Sequence, residues 1–210
     1  MHQDRIRWNA KYEDGKGMGL PSALVQNYHR LAPGPIVLDV AAGTGRNALF
    51  LAEQGYQVMA LDVADVAVHR LRDLGHSRIA PVQADLDIYP LRESCFDLIV
   101  CSYFLDRTRF PSVYESLRPG GILLYETAKD SDVPSLNQPG NRDYLLRTNE
   151  LLHSFLRMRI VYYEEAVFVD PGDPEKRRCQ VSLAAQKGWT GDQALLWNMP
   201  DVPTEGASLL

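Results

Sequence analysis

The residues best placed to do chemistry lie in Val37-Leu38-Asp39-Val40-Ala41-Ala42-Gly43-Thr44-Gly45-Arg46-Asn47, where a short apolar run enters a turn of small residues and a helical pattern begins at once. Side chains stay minimal where backbone must pass close to a ligand, and the start of the helix adds free N–H groups. Three acids accompany the turn. Asp39 sits in the apolar run just before it, Asp62 follows Gly45 by 17 residues at the end of the next run, and Asp85 ends a third. In a doubly wound sheet the acid after the second strand lies beside the ribose hydroxyls of a bound nucleotide. The AxGxG spacing is not the dinucleotide fingerprint GxGxxG, and a pyrophosphate would find Asp39 repulsive. Acids at the ends of three successive strands suit instead a ligand with a ribose, an adenine and an ammonium group.

The elements that must position these residues read off the pattern of apolar runs. Ile36–Val40, Gln57–Leu61, Ile79–Ala84, Phe96–Cys101 and Ile122–Tyr125 are predicted strands. A helix over 46–54 stops at Gly55, and a second, capped by Asp65 with Val68, Leu71 and Leu74 as its stripe, stops at Gly75. A third runs over about 110–117. Apolar strands alternating with helices predict a parallel sheet covered on both faces, Rossmann-like and doubly wound. The end of the chain differs. Residues 143–155 read as a helix, and 158–169 and 179–186 as two strands joined by the turn-rich Asp170-Pro171-Gly172-Asp173-Pro174, an antiparallel hairpin closing the sheet. Residues 1–187 are expected to form one domain, and 188–210, with Trp189 and Trp197 before a polar, Pro-rich end, a partly mobile tail.

Composition narrows the class. The chain has 210 residues, with 22 basic against 27 acidic and a net charge of −5. That balance argues against general binding to a nucleic-acid backbone. No apolar run approaches the ~20 residues of a membrane span, and the first residues carry no apolar signal-peptide core, so the expected location is cytoplasmic. Three cysteines without CxxC spacing and five histidines without HxH or HExxH spacing suggest neither a disulfide framework nor a bound metal.

The sequence resembles the class I S-adenosylmethionine-dependent methyltransferases over about residues 35–127. The segments that carry the resemblance are LDVAAGTGRNALFLAEQGYQVMALD, QADL, FDLIVCSYFLDR and LRPGGILLYET. Within that superfamily RWNAKYEDG, YFLDRTRFP and DYLLRTNELL look like the tellurite-resistance-type small-molecule branch. The resemblance implies a seven-stranded, mostly parallel sheet with the last strand antiparallel. It also implies that Ala41, Ala42, Gly43 and Gly45, with Arg46 and Asn47 at the helix start, wrap the methionine portion of S-adenosylmethionine, with Asp39 near its amino group. Asp62 would hold the ribose and Val63 lie against adenine, whose edge Asp85 and Leu86 would bind. The Cys101 carbonyl would face the methionine amine, Ser102 and Tyr103 would line the methyl channel, and Trp8 and Tyr12 would lie over the cofactor, where aromatic faces suit a sulfonium cation. Ala41 stands where the family more often has its first glycine, a small perturbation provided its φ is negative.

The acceptor is less legible. Tyr103 and Glu126 are the candidate catalytic residues. Glu126 is a candidate polar pocket residue just past the fifth strand, and His153 a weaker candidate base. A hydroxyl acceptor needs a base and no convincing one stands out, so the reading leans to a soft or anionic nucleophile: a thiol, a tellurite- or selenite-type oxyanion or a small acid. Asp106-Arg107 reads as a local ion pair, with Arg107 and Arg109 as anion clamps the alternative. Residues 128–141 read as a flexible loop over the pocket. Two other functions stay open, a non-catalytic binder of the same cofactor and a nicotinamide-dependent oxidoreductase.

Overall fold

A computed structural model of the chain describes residues 2–13, 18–133, 136, 140–170 and 173–188. The expected turn residues Pro171 and Gly172, residues 134, 135 and 137–139 of the 128–141 loop and the tail from Trp189 onward lie outside the described residues. Seven strands form one sheet in the order β3-β2-β1-β4-β5-β7-β6. They are β1 (Ile36–Val40), β2 (Gln57–Asp62), β3 (Ile79–Gln83), β4 (Phe96–Ser102), β5 (Leu117–Ala128), β6 (Arg159–Asp170) and β7 (Asp173–Gln186). The first five are parallel; β7 runs antiparallel to β5 and β6 to β7. The expected doubly wound architecture with a closing hairpin is what the chain adopts.

Period-two alternation sorts the strand side chains to two covered faces. Val37, Leu98, Val100, Ile122 and Leu124 meet Leu24 and Val25 of α2 (Ala23–Tyr28) and Ala48, Leu51 and Ala52 of α3 (Arg46–Glu53). On the other face Leu38, Val40, Ile99, Leu123 and Tyr125 meet Phe110 and Val113 of α5 (Phe110–Ser116) and Leu151 of α6 (Glu150–Ser154). α4 (Asp65–Asp73) links β2 to β3, and α1 (His2–Glu13), whose helical form the sequence pattern did not announce, packs on α4. No helix among the described residues is long and apolar enough to cross a membrane.

Local expectations fail where long-range pairing overrides spacing. The helix expected over 143–155 is a 3-10 turn at Arg142–Tyr144 and one helical turn at Glu150–Ser154. Between them Leu146 is drawn into extended pairing, donating its N–H to the Ala128 carbonyl and accepting from Asp130 N–H. Strand β5 extends beyond 122–125 at both ends, and β7 starts at Asp173, so two residues join the hairpin. Ala64 takes the N-cap position of α4 and Asp65 its first helical position. The stripe of α4 ends at Leu71, for Leu74 is 39% exposed.

Asp97 stitches the amino-terminal edge of the sheet. Its buried carboxylate accepts from Ile36 N–H at 3.0 Å and from the Arg118 guanidinium at 3.0 Å, joining β1, β4 and β5. Asp97→Ala leaves that N–H without its charged partner and is expected to cost about 2 kcal/mol, read as a lower midpoint in urea unfolding; an unchanged midpoint would show that the edge holds without it.

Candidate functional site

The strand order reverses between β1 and β4, and in such sheets ligands occupy the crevice at the carboxyl ends of the strands. The small-residue turn leaves β1 at that crevice. Gly43 and Gly45 have φ of +58° and +92°, conformations that cost an L-residue energy. A Cβ on Gly45 would overlap Leu71, and one on Gly43 would come 2.9 Å from the Tyr12 hydroxyl. The first glycine therefore admits an aromatic lid and the second the packing of α4 against the loop.

Ala41 has φ +52°, so the condition under which its methyl group is innocuous is not met. The left-handed region costs an L-residue roughly 1–2 kcal/mol, stored at the mouth of the crevice.

The three acids behave differently. Asp62 is buried, and its carboxylate accepts from Gly43 N–H and from Ala64 N–H, each at 2.8 Å. Burial raises its pKa while these backbone donors oppose the rise. Each oxygen keeps a lone pair for a further donor. Asp39 is 1% exposed and its Oδ2 has no hydrogen-bond partner. Burial pushes it up to about 7; Arg46 and the Ala48 N–H oppose, and Asp62 and Glu126 reinforce, the rise. A carboxyl raised this way favours the fold at low pH, and that contribution is lost as pH rises from the ordinary carboxylate range through about 7. Asp85 is half-buried and forms an Asx turn, accepting from Asp87 N–H at 3.0 Å. It follows Ala84, whose N–H donates to the Asp62 carbonyl. Val63 is half-buried, and Leu86 is buried in the α5-side core.

Helix α1 brings Tyr12 over the loop. Its hydroxyl is pushed above its ordinary pKa by burial and by Asp62. Trp8 stacks on Tyr12 with ring centroids 5.7 Å apart and carries the Lys11 ammonium 4.2 Å from its own centroid.

Beyond the loop, at the ends of β4, β5 and β7, lies a polar cluster. Arg46 is 3.3 Å from Glu126 Oε1 and donates to the Leu20 carbonyl. Glu126 Oε2 accepts from Ser22 Oγ at 2.7 Å and from Gln180 Nε2 at 3.5 Å. Asn47 donates to Ser102 Oγ at 3.0 Å and accepts from Ser22 N–H at 2.9 Å. Tyr103, with φ +57°, donates to Gln180 Oε1 and accepts from Arg178 Nη2, both at 2.6 Å. Its hydroxyl is raised by burial and by Glu126. Cys101 is a core thiol donating to the Phe104 carbonyl at 3.6 Å, and burial pushes it up to about 12.

Tyr12, Asp39, the loop, Asp62, Arg46, Asn47, Ser102, Tyr103 and Glu126 thus converge on one crevice. His153 is exposed on α6, whose Leu151 packs in the opposite core. Arg107 bonds Glu150 at 2.5 Å and the Asp143 and Leu145 carbonyls, while Asp106 caps Thr108 and pairs with Arg109 at 3.8 Å. The pairing expected between neighbours runs instead across the fold, and Arg107 holds the irregular 143–150 segment. Ser22, Arg178 and Gln180 escaped the sequence reading. The signal was present in β7, where Arg178, Gln180 and Ser182 alternate with Cys179, Val181 and Leu183.

A mostly parallel sheet with an antiparallel β7 is a fold this chain shares with the solved S-adenosylmethionine-dependent methyltransferase from Mesorhizobium loti, at a TM-score of 0.61 and 22% identity over 75% of this chain and 93% of that one. Residues 37–121 match the family described as a methyltransferase domain. The chain is 31% identical over 140 residues to Hemagglutinin 1 of Eikenella corrodens, covering 62% of this chain and 46% of that protein. It is 28% identical over 127 residues to the malonyl-[acyl-carrier protein] O-methyltransferase of Pectobacterium atrosepticum, covering 57% and 50%. The chain therefore spans about half the length of these curated relatives. TehB from Haemophilus influenzae shares the fold with a TM-score of 0.67 at 22% identity, over 78% of this chain and 61% of that one. Residues 37–121 are thus similar to a methyltransferase domain, and the fold around them is the one TehB has.

The unpartnered oxygen of Asp39 and the loop that only small residues can form fit S-adenosylmethionine, whose ammonium group would complete a buried carboxylate. Replacing Ala41 by glycine should relieve the φ strain. Ala41→Gly is expected to stabilise the protein by about 1 kcal/mol, measured by thermal unfolding; a destabilised variant would show that the methyl group packs usefully.

Proposed function

We propose that the protein transfers the methyl group of S-adenosylmethionine to a small acceptor whose attacking atom is soft or already anionic. The observation that carries this reading is the orphaned Asp39 oxygen, buried behind the glycine turn, because a cationic amino-acid end is the partner it lacks. On this reading Asp39 holds the ammonium group, Ala41–Gly45 wrap the methionine portion, and Asp62 takes the ribose hydroxyls while keeping its two backbone N–H donors. Val63, Leu86 and Asp85 receive the adenine, and Trp8 and Tyr12 cover the cofactor. The cofactor supplies a methyl group already activated by a sulfonium. The chain then has to align nucleophile and methyl, an effect worth on the order of 7–11 kcal/mol, and keep water out.

The acceptor side supports the choice of nucleophile. Glu126, placed to be a base, already accepts from Ser22, Arg46 and Gln180. The Tyr103 proton is given to Gln180, and burial keeps the hydroxyl neutral. His153 is exposed on α6. With these groups committed, Tyr103 and Glu126 shape and polarise the pocket rather than remove a proton. The malonyl-[acyl-carrier protein] O-methyltransferases among the relatives are named for an acid-bearing acceptor, which agrees with a small acid as one candidate.

The test is turnover of S-adenosylmethionine against matched acceptors. Small thiols, selenite and small carboxylic acids should include at least one that yields saturable formation of S-adenosylhomocysteine, with aliphatic alcohols inert. Turnover confined to alcohols would overturn the nucleophile assignment. Cofactor binding without turnover on any acceptor would favour a non-catalytic binder.

A further inference from the structure

The β6–β7 hairpin outruns β5. Pairing of β5 with β7 ends at Ala128↔Gln180, whereas β6 and β7 stay paired beyond it through Phe168↔Arg178. The projecting arm therefore carries Arg178 out over the carboxyl end of the sheet, two residues from Gln180 and on the same face as it and Ser182. There the guanidinium lies between two aromatic rings, its Cζ 4.4 Å from the Tyr103 centroid and 4.7 Å from that of Phe168. The rings fix its plane, and its Nη2 donates to the Tyr103 hydroxyl at 2.6 Å.

Among the described residues Arg178 has no counter-ion. Its Nε is buried without a hydrogen-bond partner, and among the described residues no carboxylate stands within ion-pair distance of it. Arg109 has an unbonded Nε too, but with Asp106 3.8 Å away. Arg46, whose Cζ is 5.4 Å from the same Tyr103 ring centroid, is matched by Glu126. Among the described residues the polar cluster therefore holds two guanidinium groups and one carboxylate, an excess of one positive charge. A guanidinium held by two rings and one hydrogen bond, with its Nε donor unused, is a receptor for a flat or compact oxyanion, which such a group meets with N–H bonds. Leaving such a cation part-buried and unpaired is costly, and an arriving anion removes that cost.

We propose that Arg178, clamped by Tyr103 and Phe168, is the binding residue for a singly charged oxyanion group, a carboxylate or a chalcogen oxyanion, on the methyl acceptor. This deepens the methyltransferase reading and rests on it for the identity of the bound molecule as acceptor, though not for the anion site itself. Arg178 selects acceptors by charge, and Gln180 and Tyr103 hold the hydrogen-bonded wall against which the anion seats.

The experiment is calorimetric titration of benzoate, its neutral isostere benzamide, and selenite into the whole protein, first alone and then saturated with S-adenosylhomocysteine. Benzoate or selenite is expected to bind while benzamide does not, and Arg178→Met, which keeps the stem between the rings, is expected to weaken the anion at least tenfold while S-adenosylhomocysteine affinity stays within twofold. Arg178→Gln gives the same reading should the methionine variant be unstable. Preference for benzoate points to an organic acid, and preference for selenite to an inorganic oxyanion; either supports the site. No anion binding, equal binding of benzoate and benzamide, or anion affinity unchanged in the variants overturns it. Arg178-dependent anion binding in a protein that does not take S-adenosylhomocysteine would sink the cofactor reading and leave the anion site standing.

Discussion

Asp62 ties together three parts of the chain that meet at the crevice. Its carboxylate accepts from Gly43 in the turn after β1 and from Ala64 at the start of α4, while its carbonyl accepts from Ala84 at the end of β3. These bonds lie in buried surroundings, where a charged acceptor with good partners is strong and one without them is costly. The turn can keep its left-handed residues because Asp62 holds it from behind and Leu71 of α4 packs against Gly45. Remove that anchor and neither the loop nor the lid formed by Tyr12 has a fixed surface to rest on.

From this anchor the crevice divides by charge. Its β1–β3 half is acidic: Asp39 is short of one hydrogen-bond donor, Asp62 is held by two backbone N–H groups and can accept more, and Asp85 stands beyond them. Its β4–β7 half is cationic in excess among the described residues, with Arg46 balanced by Glu126 and no carboxylate beside Arg178. A cofactor that is cationic at its amino end and an acceptor that is anionic would each neutralise the half they enter. Such complementarity works as selection by charge, and it gives the protein a way to favour the encounter of a sulfonium with an electron-rich partner without a dedicated base.

Much of this was legible in the sequence because it is local. The strands announce themselves as apolar runs, the turn as alanine and glycine between a strand and a helix, and Asp62 by its distance from Gly45. What was hidden depends on contacts between distant residues. Residues 143–155 read as a helix, yet pairing with Ala128 and Asp130 draws Leu146 into extended structure and shortens the helix to one turn. Arg107 looked paired with its neighbour and instead reaches Glu150. Ala41 betrays nothing of its φ, which the chain's exit from β1 dictates. The acceptor wall was hidden for the same reason: Arg178, Gln180 and Glu126 come from strands that pair only in the folded sheet, and Ser22 reaches Glu126 across 104 residues.

The central claim is that the unpartnered Oδ2 of buried Asp39 awaits the ammonium group of the cofactor. It is tested most directly by counting protons exchanged when S-adenosylhomocysteine binds, using calorimetry in buffers of different ionisation enthalpy between pH 6 and 8. Because burial holds Asp39 at about 7 without the cofactor, an ammonium partner must favour its ionised form. Binding should then release a proton in the lower part of this range, tighten as pH rises through about 7, and lose both features in Asp39→Asn. Proton uptake, or pH-independent binding that Asp39→Asn does not alter, would contradict the account.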